Sequence, residues 1–202
     1  MKLYDYAAAP NPRRVRIFLA EKGIQLPMEQ VDMATAQHRS PGFLKKNSLG
    51  QLPVLEMDDG TYLAETVAIC RYLEETHPEP PLMGVDSRDR AIVEMWQRRM
   101  EYQLWTNAGN AFRNLHDWFK GKISQVPEYG EVCRTNLAKA LLWLDSELAG
   151  REFIAGPRYT IADITALVAI DFGRVMDVRI QPVQKNLTRW YEAVSARPSA
   201  KA

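Results

Sequence analysis

The sequence predicts an α/β domain followed by an all-α domain, and three observations carry that expectation. In the first 76 residues short apolar runs alternate with a helical segment and close on a hairpin, the pattern of a small α/β sheet. His77-Pro78-Glu79-Pro80-Pro81 then forms a stiff, extended connector. From residue 88 onward apolar residues recur at helical spacing with no convincing strand between them. The expected division is a first domain at 1–77, a linker at 78–87 and a helical domain at 88–202.

Taken in order, residues 2–6 read as a strand in which Leu3 and Tyr4 face opposite ways. A helix is expected over 12–22. Asn11 is among the best N-caps, and Pro12 suits the first helical position. A second strand falls at 28–33 and a short helix at 41–47. Pro53 heads a strand at 53–57, Asp58-Asp59-Gly60 turns the chain into a second at 61–64, and a helix runs from 66 to 76. The later helices are expected at 88–119, 129–149, 160–176 and 182–196. In the second of these Val132, Leu137, Leu141 and Leu144 form a stripe best explained as core. Thr160 and Asp163 have capping-box spacing, with Asp in place of Glu, ahead of an almost wholly apolar helix, so their expected role is structural. Between residues 102 and 118, Tyr102, Trp105 and Gly109 share one helical face, as do Asn110 and Arg113. Most of the aromatics there are expected in the core or a dimer contact.

Composition narrows the function classes. With 26 basic and 25 acidic residues among 202, the chain has no broad electrostatic footprint for nucleic acid or an anionic membrane. No apolar run approaches the roughly 20 residues needed to span a bilayer. The start Met1-Lys2-Leu3-Tyr4-Asp5-Tyr6 lacks a secretion signal, which makes a cytoplasmic location the default. Cys70 and Cys133 both lie in helical patterns outside any C-x-x-C motif, and read as buried, reduced thiols. His38, His77 and His116 lack metal-ligand spacing, so no metal is expected.

The most informative run is Asn47-Ser48-Leu49-Gly50-Gln51-Leu52-Pro53-Val54-Leu55, followed ten residues on by Glu65-Thr66. A proline at the head of a strand removes one backbone donor and, if its bond is cis, leaves the backbone of Leu52 open to a ligand. Glu65-Thr66 opens a helix, where N–H groups and the dipole favour an anion. Together they make a cradle for a small peptide-like molecule carrying both an ammonium and a carboxylate. Simpler roles are available too: a first-turn acid for Glu65 and an N-cap for Thr66.

This pattern resembles the glutathione transferase superfamily, along the whole chain. Lys2-Leu3-Tyr4, the helix from Arg13 to Gly23, Phe43-Leu44, the proline turn, Glu65-Thr66 and Tyr159-Thr160-Ile161-Ala162-Asp163-Ile164 all look like it, in the family's order. The resemblance implies a thioredoxin-like first domain, an all-helical second domain, glutathione as co-substrate and a homodimer acting in detoxification. It places the glutathione thiol over the start of the first helix. Members of the family carry Tyr, Ser or Cys in that loop, whereas Ala7-Ala8-Ala9 stand here. Asn11 falls where cysteine-type bacterial members have their cysteine, and an asparagine there is similar to a bacterial group related to the Nu class. That group often has a threonine two residues earlier, where this chain has Ala9.

On this resemblance Asn11 is the expected thiol contact, by amide donation and not as a base, and Tyr6 is the second candidate. Leu52 would pair its backbone with the cysteinyl part of glutathione, next to a cis Pro53. Glu65 would receive the γ-glutamyl ammonium and Thr66 its carboxylate. His38 and Gln51 match positions near the glycyl carboxylate. Arg113 and Phe172 are assigned to the pocket for a small-molecule electrophile, between the domains. The expected function is a glutathione transferase, in which a lowered thiol pKa and orientation supply the catalysis. Two alternatives stay open: a glutathione-dependent disulfide reductase, and a non-catalytic binding or assembly module that kept the fold.

Overall fold

β1 (Lys2–Asp5), β2 (Met28–Gln30), β3 (Val54–Glu56) and β4 (Tyr62–Leu63) form one sheet in the spatial order β2-β1-β3-β4. β2 lies parallel to β1, and the crossover that a parallel pair requires is α1 (Pro10–Lys22). β3 pairs antiparallel with β1 and β4 antiparallel with β3. The computed structural model describes residues 1–202. The chain divides into two compact units, Met1–Pro81 with Lys201–Ala202, and Leu82–Ala200.

In the first unit α1 buries Val15, Ile17, Phe18 and Leu19 and packs against α3 (Thr66–Thr76), which buries Ile69, Cys70 and Leu73. Because strand side chains alternate, Leu3 and Tyr4 point to opposite faces of the sheet. Tyr4 belongs to a separate cluster with Val31, Phe43, Leu52 and Val54, to which α2 (Pro41–Leu44) contributes Phe43. The Lys22 ammonium, fully buried at the end of α1, pairs with Glu74 at 2.5 Å. It also donates to the carbonyls of His77 (2.8 Å), Pro78 (3.3 Å) and Pro80 (2.5 Å), which ties the connector down.

Several boundaries differ from expectation, each for a local reason. β2 ends at Gln30 because Val31 makes the last bond to β1, through the Asp5 carbonyl, and the Asp32 carboxylate then turns the chain by accepting from Ala34 N–H. The β3 ladder starts at Val54 because Pro53 has no N–H to give. α1 begins two residues early, at Pro10, with Ala9 as its N-cap. Asn11 is therefore not the cap; it sits exposed in the first turn. α3 begins at Thr66, so the N-cap is Glu65 and not Thr66.

The second unit is entirely helical: α4 (Ser87–Met100), α5 (Thr106–Leu115), α6 (Pro127–Glu147), α7 (Ile161–Gly173) and α8 (Lys185–Ser195). α5 packs on α6, while α4 and α8 pack on α7. The span expected as one helix over 88–119 is divided by a π-helical stretch, Glu101–Trp105, which shifts the phase of everything after it. Tyr102, within that stretch, is 62% exposed and so is not core, and Trp118 beyond α5 is exposed as well. In α6 the buried stripe runs through Cys133, Leu137, Leu141 and Leu144, while Val132 faces outward. Both cysteines are buried thiols.

α7, buried from Ile161 to Ile170, is the apolar centre of this unit. The expected capping box is formed: Asp163 Oδ2 accepts from Thr160 N–H at 2.9 Å. Its Oδ1 also accepts from Ile154 N–H (3.0 Å) and Trp190 Nε1–H (2.8 Å), linking three parts of the unit. Burial raises the Asp163 pKa to about 6, against the pull of these donors. No helix is long and apolar enough to cross a membrane.

Candidate active site

Three backbone features converge at one end of the sheet. The register pairs Tyr4 with Val54, so antiparallel pairing carries Leu52, two residues before Val54, alongside the chain leaving β1 at Tyr6. α1 starts just beyond that exit. The start of α3 is joined to α1 by a hydrogen bond from Arg14 Nη1 to Thr66 Oγ1, 2.7 Å long and buried.

At the first feature, the turn leading to α1 closes with Ala9 N–H donating to the Tyr6 carbonyl at 2.9 Å. Pro10 and Pro12 have no N–H, and Arg13 N–H bonds the Ala9 carbonyl at 3.3 Å. Two prolines thus strip the helix N-terminus of donors, and within the first turn Asn11 alone keeps a main-chain N–H that nothing in the chain accepts. Its carboxamide is exposed beside that N–H. Tyr6 is half-buried, and its ring packs against the Tyr4–Phe43–Leu52 cluster.

The second feature is the turn before Pro53. Asn47, buried, holds it from both ends: Nδ2 donates to the Gln51 carbonyl (2.9 Å) and Oδ1 accepts from Leu49 N–H (3.1 Å). Gly50 has φ 58°, and a Cβ there would lie 2.8 Å from the His38 carbonyl oxygen, so both backbone conformation and space demand glycine. Arg39 Nη1 donates to the Leu49 carbonyl at 3.0 Å. The Leu52–Pro53 peptide is cis, and neither the N–H nor the C=O of Leu52 is hydrogen-bonded within the chain. Gln51 is exposed. His38 is partly buried, and that burial, helped by the Arg39 charge, holds its pKa below the usual histidine value.

The third feature is Glu65-Thr66. Glu65 adopts φ 67° and ψ 116°, a conformation costing a non-glycine residue about 1–3 kcal/mol, and its side chain is exposed. Such strain is typical of positions held by function. Thr66 is buried; because its hydroxyl oxygen accepts from the Arg14 guanidinium, its proton is free to be donated onward. Arg14 is 2% exposed and places a full positive charge beneath the start of α3. The sequence assigned no role to Arg14, and Asn47 stood in the run before Pro53 without a role of its own. The signal that could have found Arg14 is its place four residues before the apolar Phe18, which puts it on the inner face of α1.

In the second unit Phe172 and Arg113 join one aromatic cluster. Phe112 meets Phe172 at 5.0 Å and Phe119 at 5.4 Å between ring centroids, and the Arg113 guanidinium lies 5.1 Å from the Phe119 ring. His116 lies 4.6 Å from Phe112.

Residues 3–81 match the family profile for the glutathione S-transferase N-terminal domain, and residues 119–198 match that for the C-terminal domain. The chain belongs to the glutathione S-transferase family. It is 31% identical over 205 residues to glutathione S-transferase 2 of Saccharomyces cerevisiae, covering 100% of this chain and 88% of that protein. The crystal structure of Gtt2 from the same yeast superposes with a TM-score of 0.94 at 31% identity, covering 100% of this chain and 99% of that one. A glutathione S-transferase domain-containing protein from Marinobacter aquaeolei gives a TM-score of 0.92 at 37% identity, with 98% and 99% covered. A thioredoxin-like first unit and an all-helical second unit are the fold of this family.

Proposed function

We propose that the protein is a glutathione transferase of the asparagine type, which binds glutathione in its first unit and directs the thiolate at a small electrophile. The observation that carries this reading is the open main-chain edge of Leu52 at the end of the sheet where α1 and α3 begin. An extended peptide can add to that edge through its own N–H and C=O. The Glu65 carboxylate would take the γ-glutamyl ammonium. Thr66 would donate its hydroxyl to the γ-glutamyl carboxylate, reinforced by the dipole of α3 and the charge of Arg14. Gln51 and His38 would approach the glycyl carboxylate, His38 as a neutral donor because its pKa is depressed. Pro53 sets the end of the open edge.

The thiol would then lie over the start of α1. A free thiol ionises near about 8.5, and donors or positive dipole ends lower that value. With Pro10 and Pro12 contributing none, Asn11 supplies both available donors, its main-chain N–H and its carboxamide. Neither accepts a proton at ordinary pH, so the chain lowers the thiol pKa without acting as a base. Tyr6 is the secondary candidate for the same contact. Arg113 and Phe172, in the Phe112–Phe119 cluster, are assigned to the electrophile and favour an apolar, aromatic one.

The test is calorimetry with glutathione followed by two activity assays. Conjugation of a chlorinated arene is the expected result. Reduction of a small disulfide without conjugation would select the reductase alternative. Absence of glutathione binding would overturn the reading and leave a binding or assembly module.

A further inference from the structure

The turn that delivers Asn11 to the site is held from outside. Ala7, Ala8 and Ala9 have no side chain able to hydrogen-bond, and the turn closes on itself through a single bond, from Ala9 N–H to the Tyr6 carbonyl. Yet both polar groups of Ala7 are occupied. Its N–H donates to Gln30 Oε1 and its carbonyl accepts from Arg16 Nη2, each at 2.9 Å. The two side chains that grip it are themselves fixed by one carboxylate. Arg16 Nη1 donates to Asp5 Oδ1 and Gln30 Nε2 donates to Asp5 Oδ2, both at 2.7 Å. Asp5 is 1% exposed at the end of β1, Gln30 ends β2 and Arg16 lies in α1.

We propose that Asp5, Arg16 and Gln30 form a bracket on Ala7 that positions Asn11 for thiol activation, making Arg16 and Gln30 positioning residues of the reaction. This rests on the glutathione reading above. The chemistry of the residues fits the task. Gln is among the few side chains that donate and accept at once, and so can join a carboxylate to a main-chain N–H. Arg presents two donors in a rigid fork, one for Asp5 and one for the Ala7 carbonyl, where Lys offers a single point charge. A turn built of three alanines would otherwise rotate its peptide planes freely. A misplacement of about 1 Å at a reacting centre costs on the order of 100-fold in rate.

The test is Gln30→Leu, with Arg16→Lys as a second variant, each read by the pKa of the bound glutathione thiol, by kcat and KM, and by melting temperature. Gln30 lies on the surface, so leucine there is compatible with folding even if the buried Asp5 makes Arg16 less tolerant. In both variants the bound-thiol pKa should rise by about 0.5–1, as when an anion loses the alignment of one donor. In both, kcat should fall several-fold at low pH and recover as pH rises, with KM for glutathione little changed. A lower melting temperature with an unmoved thiol pKa in folded Gln30→Leu would reduce the bracket to a structural role and overturn the proposal. A wild-type complex whose thiol titrates like free glutathione would overturn thiol activation by this site, and the bracket's role with it, while absence of glutathione binding would overturn the glutathione reading itself.

Discussion

Replacing Asp163 by Asn should alter how stability depends on pH more than it alters the fold. The Asp163 carboxylate is fully buried and takes four donors: Thr160 N–H and the Thr160 hydroxyl on Oδ2, Ile154 N–H and Trp190 Nε1–H on Oδ1. Burial outweighs them and raises the pKa from 3.8 to about 6. A carboxyl whose pKa is raised on folding stabilises the native state fully below its unfolded value and loses that contribution as pH climbs through the folded one. The gap of roughly two pKa units corresponds to about 3 kcal/mol, of which about 2 kcal/mol disappears between pH 4.5 and 7. Asn keeps one acceptor but turns an NH2 toward a donor, so Asp163→Asn is less stable at every pH by about 1–3 kcal/mol, the cost of one unsatisfied buried group. The assay is urea unfolding of both proteins at about pH 4.5 and 7. Subtracting the two pH dependences cancels the exposed carboxylates and should leave about 2 kcal/mol of acid stabilisation present in wild type and absent from the variant. Equal pH dependence in the two proteins would refute the assignment of a protonatable Asp163.

Thr160→Ala removes one donor of the same box and should cost about 0.5–2 kcal/mol, with glutathione affinity of the folded protein preserved; an unchanged melting temperature would count against the cap. Glu65→Ala should weaken glutathione binding by about 1.5–3 kcal/mol, or roughly ten- to 150-fold in calorimetry, as expected for a hydrogen bond to a charged group. Equal affinity would remove Glu65 from the site. Lys22→Met takes the buried cation away from Glu74 and from three connector carbonyls. It should cost about 3–5 kcal/mol in denaturant titration, and a loss below about 1 kcal/mol would show that the clamp carries little.

Where composition and spacing speak directly, the sequence was readable. The 66–76 helix, the Thr160–Asp163 box and the buried cysteines need only periodicity and capping chemistry, and each is present as expected. The cis bond at Pro53 was anticipated from its place at a strand head and from the family resemblance. What escaped depends on tertiary context. Pro10-Asn11-Pro12 offers two places to begin a helix, and Ala9 proved to be the cap. The π-helical stretch at 101–105 hides in sequence because its residues are ordinary helix formers, and only the phase shift after it betrays it. In α6 a register one residue away exchanged Val132 for Cys133. Arg14, Arg16 and Asn47 look like routine polar residues until their partners Thr66, Ala7 and Gln51 are brought beside them by packing.

The most direct test of the whole account is an ultraviolet titration of the thiolate of glutathione bound to wild type, to Asn11→Ala and to Asn11→Pro. The account predicts a bound-thiol pKa well below that of free glutathione. It should rise partway when the carboxamide is lost and further when the main-chain N–H is lost as well. A bound thiol that titrates at the same pH in all three proteins would contradict it.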